Sequence, residues 1–169
     1  MSFTDILFTI GDWVVFLNVI IAVVYVVGVR ANSGSALSLI VLAIMNCFMQ
    51  LMGYKLQEYF TSEFALVVRH MWYVSFMVVD AFAIYIIFSL HQRFKLIPSA
   101  FTKLIALSFL TMICIQGLRY FSYVLLDLDV AILGFLYKNG VVAVNVSVVF
   151  SSLFMVIKDF LLKEKERVV

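Results

Sequence analysis

Long hydrophobic runs separated by short polar segments form the main pattern of this chain. Five of these runs approach or exceed the roughly 20 residues that a helix needs to cross the hydrocarbon layer of a membrane. Backbone amides in lipid must be hydrogen-bonded within the protein, so each run predicts a transmembrane helix, and short alternating segments typical of a β-barrel are absent. The predicted spans are residues 6–29, 36–54, 64–90, 101–126 and 141–161.

Two runs leave the boundaries open. The first resembles a signal peptide in position, but acidic Asp5 and Asp12 replace the usual basic leader, and we interpret it as a retained span. The run 128–137 is too short to span alone. It either lies in the membrane interface or lengthens the last helix before Asn139 and Gly140.

Composition supports lipid as the main solvent. The chain of 169 residues is 65% hydrophobic and 13% charged, whereas soluble domains average about 45–50% apolar and about 25% charged residues. We therefore expect an all-α integral membrane protein with one transmembrane domain over residues 1–169. The net charge of +2 gives no indication of nucleic-acid binding.

The basic residues predict the orientation, because lysine and arginine collect on the cytoplasmic side of a membrane. With the N-terminus outside and the C-terminus inside, eight of the twelve basic residues face the cytoplasm. A helical tail over residues 158–169 continues inward. We expect a cytosolic protein partner to dock on this surface, which contains Arg93, Lys95, Lys103, Lys158, Lys163, Lys165 and Arg167.

Asp80 lies near the middle of the third span, where a charged side chain costs roughly 2.5–3.5 kcal/mol on insertion scales. At similar depth the other spans place Asn18, Asn46 and Gln116, with Arg119 about one turn outward. We expect these five residues to form a polar layer in which Asp80 faces Gln116 and Arg119. The layer either joins helices by hydrogen bonds, or Asp80 binds or relays a cation or proton or senses a change at the membrane.

A cluster of aromatic and basic residues lies toward the predicted outer face. An interfacial aromatic belt accounts for it, and an outward-facing pocket for an anionic group or a lipid headgroup is the alternative. The cluster comprises Arg69, His70, Trp72, Tyr73, Tyr120 and Tyr123.

Small residues recur every four positions in the last span at Ala143, Ser147 and Ser151, with Gly140 near its outer end. Such a stripe lets a helix approach a neighbour closely, either within one subunit or between subunits. We expect a homo-oligomer, because five spans make a thin bundle and closed symmetric assemblies are common.

Motifs for known enzyme chemistry are absent from the sequence. It contains no phosphate-binding glycine loop, no HExxH, no GxSxG and no cysteine–histidine ligand cluster, so we expect neither an enzyme nor a metal or other cofactor. Three functions remain. They are a scaffold or sensor that regulates a cytosolic partner, an oligomeric channel or ion-coupled carrier with Asp80 in its pathway, and an envelope or lipid-handling subunit.

In size and layout the chain resembles the small membrane subunit of Kiwa-type bacterial antiphage systems. The resemblance covers the whole chain as a general outline. It implies sensing at the cell envelope together with a cytosolic effector, and it favours the first of the three functions. It assigns no functional residues.

Overall fold

A computed structural model of the chain describes the backbone of residues 3–29, 33–60 and 63–168, and the side chains of residues 8–29, 33–60 and 63–163. These residues form five helices long and apolar enough to cross a membrane. The helices are α1 (Phe3–Val24), α2 (Gly34–Glu58), α3 (Ala65–Arg93), α4 (Ala100–Tyr120) and α5 (Ala131–Val168). Wider π-helical turns continue α1 over Tyr25–Val29 and α4 over Phe121–Leu125.

Local signals begin two of the helices. The hydroxyl of Ser33 accepts a hydrogen bond from the Ala36 amide at the start of α2. Ser99 does the same for the Thr102 amide at the start of α4, directly after Pro98. Serine is a favoured residue at this capping position because its side chain satisfies an amide that the helix leaves free.

The last helix differs from the prediction, because it begins at Ala131 rather than at residue 141. Asn139 remains inside α5, where its side chain donates to the carbonyl of Phe135 one turn earlier. Gly140 is also helical, and Ile115 of α4 packs so closely there that an added Cβ would meet its Cδ1 at 3.0 Å. The short run 128–137 therefore mostly lengthens the last helix.

The helices pack as a closed ring. Each contacts the next along the chain, and α5 contacts α1. We call the end of the bundle with the start of α1 the N-terminal face, and the end with Val29 and Lys163 the tail face. The half near the tail face is densely packed around Tyr25, Leu39 and Ile87, each at most 1% exposed.

The outer surface of the ring is apolar. Large hydrophobic side chains remain exposed along the helices, including Val27 at 82%, Phe154 at 71% and Phe150 at 67%. A water-soluble monomer rarely exposes apolar surface on this scale, whereas lipid tails solvate it well. Five such helices fit a multi-pass membrane protein.

Candidate functional site

A cavity of about 150 Å³ lies inside the ring, between mid-length and the N-terminal face. All five helices contribute to its wall. Its volume accommodates on the order of ten water molecules or a small organic molecule. The polar side chains in its wall belong to Asn46, Gln50, Trp72, Asp80, Ser108, Gln116, Tyr137 and Asn145.

Asp80 and Gln116 form the most deeply buried polar pair in this wall, at 0% and 2% exposure. The Gln116 amide donates to Oδ2 of Asp80 over 3.0 Å, as the sequence predicted. Oδ1 of Asp80 and Oε1 of Gln116 have no partner among the described residues. Because buried acceptors are costly without a donor, the pair presents two oxygens suited to a cation, a proton or water.

The rest of the wall gives the cavity its chemical character. Asp80 is the only acidic or basic residue among the described residues that line it. Aromatic rings of Phe8, Trp72, Phe76 and Tyr137 line the part toward the N-terminal face. An acid beneath aromatic rings is an environment that favours a cation over an anion.

The predicted contact between Asp80 and Arg119 is wrong. Arg119 instead donates from Nη2 to Asp129 over 2.8 Å, and its Cζ lies 4.3 Å from the centre of the Tyr123 ring. Arg119 lies three residues beyond Gln116, nearer the N-terminal face, where a carboxylate in the loop before α5 is available. A guanidinium is less costly near the interface than at mid-depth.

The predicted polar layer is also divided. Asn46 lines the cavity with Asp80 and Gln116, whereas Asn18 is absent from the cavity wall. Asn18 is 1% exposed, and neither atom of its side-chain amide has a hydrogen-bond partner among the described residues. It lies two helical turns from Gly11 of the cavity wall, on the same side of α1.

The predicted cluster toward the outer face is brought together at the N-terminal face. Trp72 donates to the hydroxyl of Tyr137 over 2.9 Å, and His70 Nδ1 lies 3.0 Å from the Tyr120 hydroxyl. Tyr73 packs between Tyr120 and Tyr137, with ring centres 6.2 and 5.4 Å away. The cluster thus abuts the cavity wall through Trp72 and Tyr137.

The small-residue stripe has two environments. Gly140 packs within the chain against Ile115. Ala143, Ser147 and Ser151 line a groove between α4 and α5, and the first two are exposed. The homo-oligomer remains a prediction.

The residues of the predicted docking surface differ in their environments. Arg93, Lys95, Lys103 and Lys158 are exposed at the tail face. Lys163 is not free, because its ammonium donates to the carbonyls of Gly28 and Val29 over 2.8 and 3.1 Å. The side chains of Lys165 and Arg167 lie outside the described residues. The cytosolic partner remains a prediction.

Two groups of polar residues escaped the sequence analysis. At the N-terminal face, Asp12 accepts hydrogen bonds from Gln50 and Tyr54 over 2.8 and 2.7 Å. Near the tail face, His91 is 1% exposed and lies 3.4 Å from Thr102, which accepts from Ser38. Asp12 and Gln50 lie inside predicted spans but away from the depth of Asp80, where the polar layer was predicted.

No family model, curated protein or solved structure matches the chain. Within the part of the chain that the structure describes, no group of three histidine, cysteine, aspartate or glutamate residues is arranged to hold a metal ion.

Proposed function

We propose that the protein is a membrane carrier for a small organic cation, such as a protonated amine or a quaternary ammonium ion. The observation that carries this proposal is the cavity enclosed by all five helices, with Asp80 as the one acidic or basic residue among the described residues that line it. A fully buried carboxyl with a free oxygen favours a positive partner. The aromatic rings around it favour an organic cation over a bare metal ion, which prefers a shell of oxygen ligands.

The position of the cavity supports a carrier over a static binding protein. It begins at mid-length and extends toward one face, while the other half of the bundle is closely packed. Carriers bind their substrates near mid-membrane and open to one side at a time. One chain provides the whole wall, so this role does not depend on an oligomer.

The scaffold or sensor role and the likeness to Kiwa-type membrane subunits rest on size and layout. The exposed basic side chains at the tail face are compatible with that role. We favour the carrier, since the cavity gives it a definite site.

Binding can be measured through the tryptophans. Of the two in the chain, Trp72 lines the cavity, and Trp13 is 61% exposed on the outer surface. In a Trp13→Phe background, choline should change the fluorescence of Trp72 saturably. Asp80→Asn should weaken binding by about tenfold or more, because it removes one partner of a buried charge pair. Asp129→Asn, whose carboxylate lies outside the cavity wall, is the matched control.

Two further measurements test whether the site recognises charge and whether the protein transports its ligand. The uncharged isostere 3,3-dimethylbutan-1-ol should bind at least about tenfold more weakly than choline if charge is recognised. Proteoliposomes containing the wild type should take up labelled choline saturably, and those containing Asp80→Asn should not. Binding without uptake would contradict the carrier, and absence of binding for choline and tetramethylammonium alike would contradict the cation site.

A further inference from the structure

Two arginines share one aromatic ring at the N-terminal face. The guanidinium carbon of Arg119 lies 4.3 Å from the centre of the Tyr123 ring, and that of Arg69 lies 5.0 Å from the same centre. Arg69 is four residues from the start of α3 and Arg119 one residue from the end of α4. Both are therefore near the ends of apolar helices, where lipid headgroups meet a membrane protein.

The charges of this cluster are not balanced within the described residues. Asp129 forms a salt bridge with Arg119, whereas no described carboxylate lies within salt-bridge distance of Arg69. Two guanidinium groups on one ring repel each other, and one carboxylate compensates only one of them. The pair therefore has a free positive charge to offer to an anion.

An unused hydrogen-bond donor supports the same conclusion. The side chain of Arg119 is 11% exposed, and its Nη1 is buried without an acceptor among the described residues. Stacking on Tyr123 holds this guanidinium against the start of α5, about 3.6 Å from where a Cβ on Gly134 would lie. A buried guanidinium with an unfilled donor is costly unless an acceptor or water completes it.

We propose that Arg69, Arg119 and Tyr123 form a binding site for a phosphate group. The planar fork of an arginine matches two phosphate oxygens, and two arginines suit a phosphate better than a single carboxylate. Arg69 and Tyr123 are partly exposed, so a ligand reaches the site from the lipid or from the aqueous boundary. The phosphate belongs either to the headgroup of an anionic lipid or to a soluble phosphate, and the two sources share this chemistry.

This site is separate from the cation cavity. Its residues are absent from the cavity wall. Tyr73 and Tyr137 lie between the two sites, with Tyr137 in the cavity wall and Tyr73 packed against Tyr120. The two proposals can therefore fail independently.

Lipid retention tests the phosphate site. Full-length protein purified with phosphatidylglycerol, phosphatidylcholine and diacylglycerol in equal amounts should retain phosphatidylglycerol, detected by native mass spectrometry. Arg69→Gln should reduce this retention by about tenfold, because a charge-assisted hydrogen bond is lost. Arg93→Gln, an exposed arginine at the tail face, should leave it unchanged. Unchanged thermal unfolding of Arg69→Gln would establish that the loss is not due to misfolding.

Competition identifies the source of the phosphate. Displacement of the lipid by millimolar inorganic phosphate, but not by chloride at equal ionic strength, would place a soluble phosphate at the site. Resistance to inorganic phosphate would place a lipid phosphate there. Equal retention by wild type, Arg69→Gln and Arg93→Gln, or equal retention of phosphatidylglycerol and diacylglycerol, would overturn the proposal.

Discussion

At the scale of single residues, the arrangement around Asp80 is unusual because it is only half satisfied. One oxygen of its carboxyl accepts from Gln116, and the other has no donor among the described residues. A helix-joining hydrogen bond alone would not require a cavity beside it. An unsatisfied carboxyl oxygen on a residue of the cavity wall is what distinguishes a binding group from a structural contact.

Removing the Gln116 donor should show how much its hydrogen bond to the Asp80 carboxyl contributes to the free energy of unfolding. Gln116→Leu leaves both oxygens of Asp80 without a donor from the protein, and we expect it to lower the free energy of unfolding by roughly 1–3 kcal/mol. The double variant Asp80→Leu with Gln116→Leu should recover most of this loss, since replacing both polar partners by apolar groups is close to neutral. Denaturant unfolding in detergent measures the cycle. Additive losses in the double variant would show that the two residues are not coupled.

The sequence predicts part of this residue-level arrangement. Counting residues along each span places Asp80, Gln116 and Asn46 at a similar depth, because the rise per residue of a helix is uniform. This count correctly predicted that the three residues line one site. The same count did not predict the partner of Arg119, because that partner, Asp129, lies in a loop. Asp127 in that loop has a left-handed backbone with φ of 52°, a conformation that hydrophobic periodicity does not reveal.

At the scale of helices, α1 and α5 are joined at the tail face by contacts distant in sequence. The Tyr25 hydroxyl donates to Asp159 over 2.6 Å, and Lys163 covers the carbonyls of Gly28 and Val29 at the end of the π-helical turn. A cation at a helix C-terminus satisfies carbonyls that the helix leaves free. These contacts close the ring near the tail face, in the closely packed half of the bundle.

Loss of this contact should loosen the end of α1. Lys163→Ala should accelerate amide exchange in residues 25–29 and lower the free energy of unfolding by roughly 0.5–1.5 kcal/mol. Hydrogen–deuterium exchange in detergent or nanodiscs measures it locally. Lys158→Ala changes an exposed lysine on the same helix and should leave exchange at residues 25–29 unchanged. Equal exchange in the two variants would mean that Lys163 does not hold the end of α1.

The helices themselves were largely predictable, whereas their ends were not. Hydrophobic length predicts the five long apolar helices that the described residues form, since lipid leaves the backbone no alternative. The pattern alone does not show that α5 continues through Asn139, which bonds to Phe135, and Gly140, which packs against Ile115. Nor does a hydrophobic pattern specify the widened turns after α1 and α4.

At the scale of the whole molecule, the two faces of the bundle differ in the charge of their exposed side chains. Exposed basic side chains concentrate at the tail face, at Arg93, Lys95, Lys103 and Lys158. The N-terminal face has exposed Lys55 and Lys138 together with acidic Glu58, Glu63, Asp127 and Asp129. The positive-inside rule therefore favours a tail face in the cytoplasm and a cavity on the outer side of mid-membrane.

Cysteine labelling tests this orientation. In a background with Cys47→Ala and Cys114→Ala, new cysteines at Lys55 or Leu128 should react with a membrane-impermeant maleimide in intact cells. Cysteines at Arg93 or Lys158 should react only after the membrane is permeabilised. All four positions are exposed in the structure, so burial does not explain a difference between them. The reverse pattern would place the cavity on the cytoplasmic side of mid-membrane and contradict the orientation inferred from the basic residues.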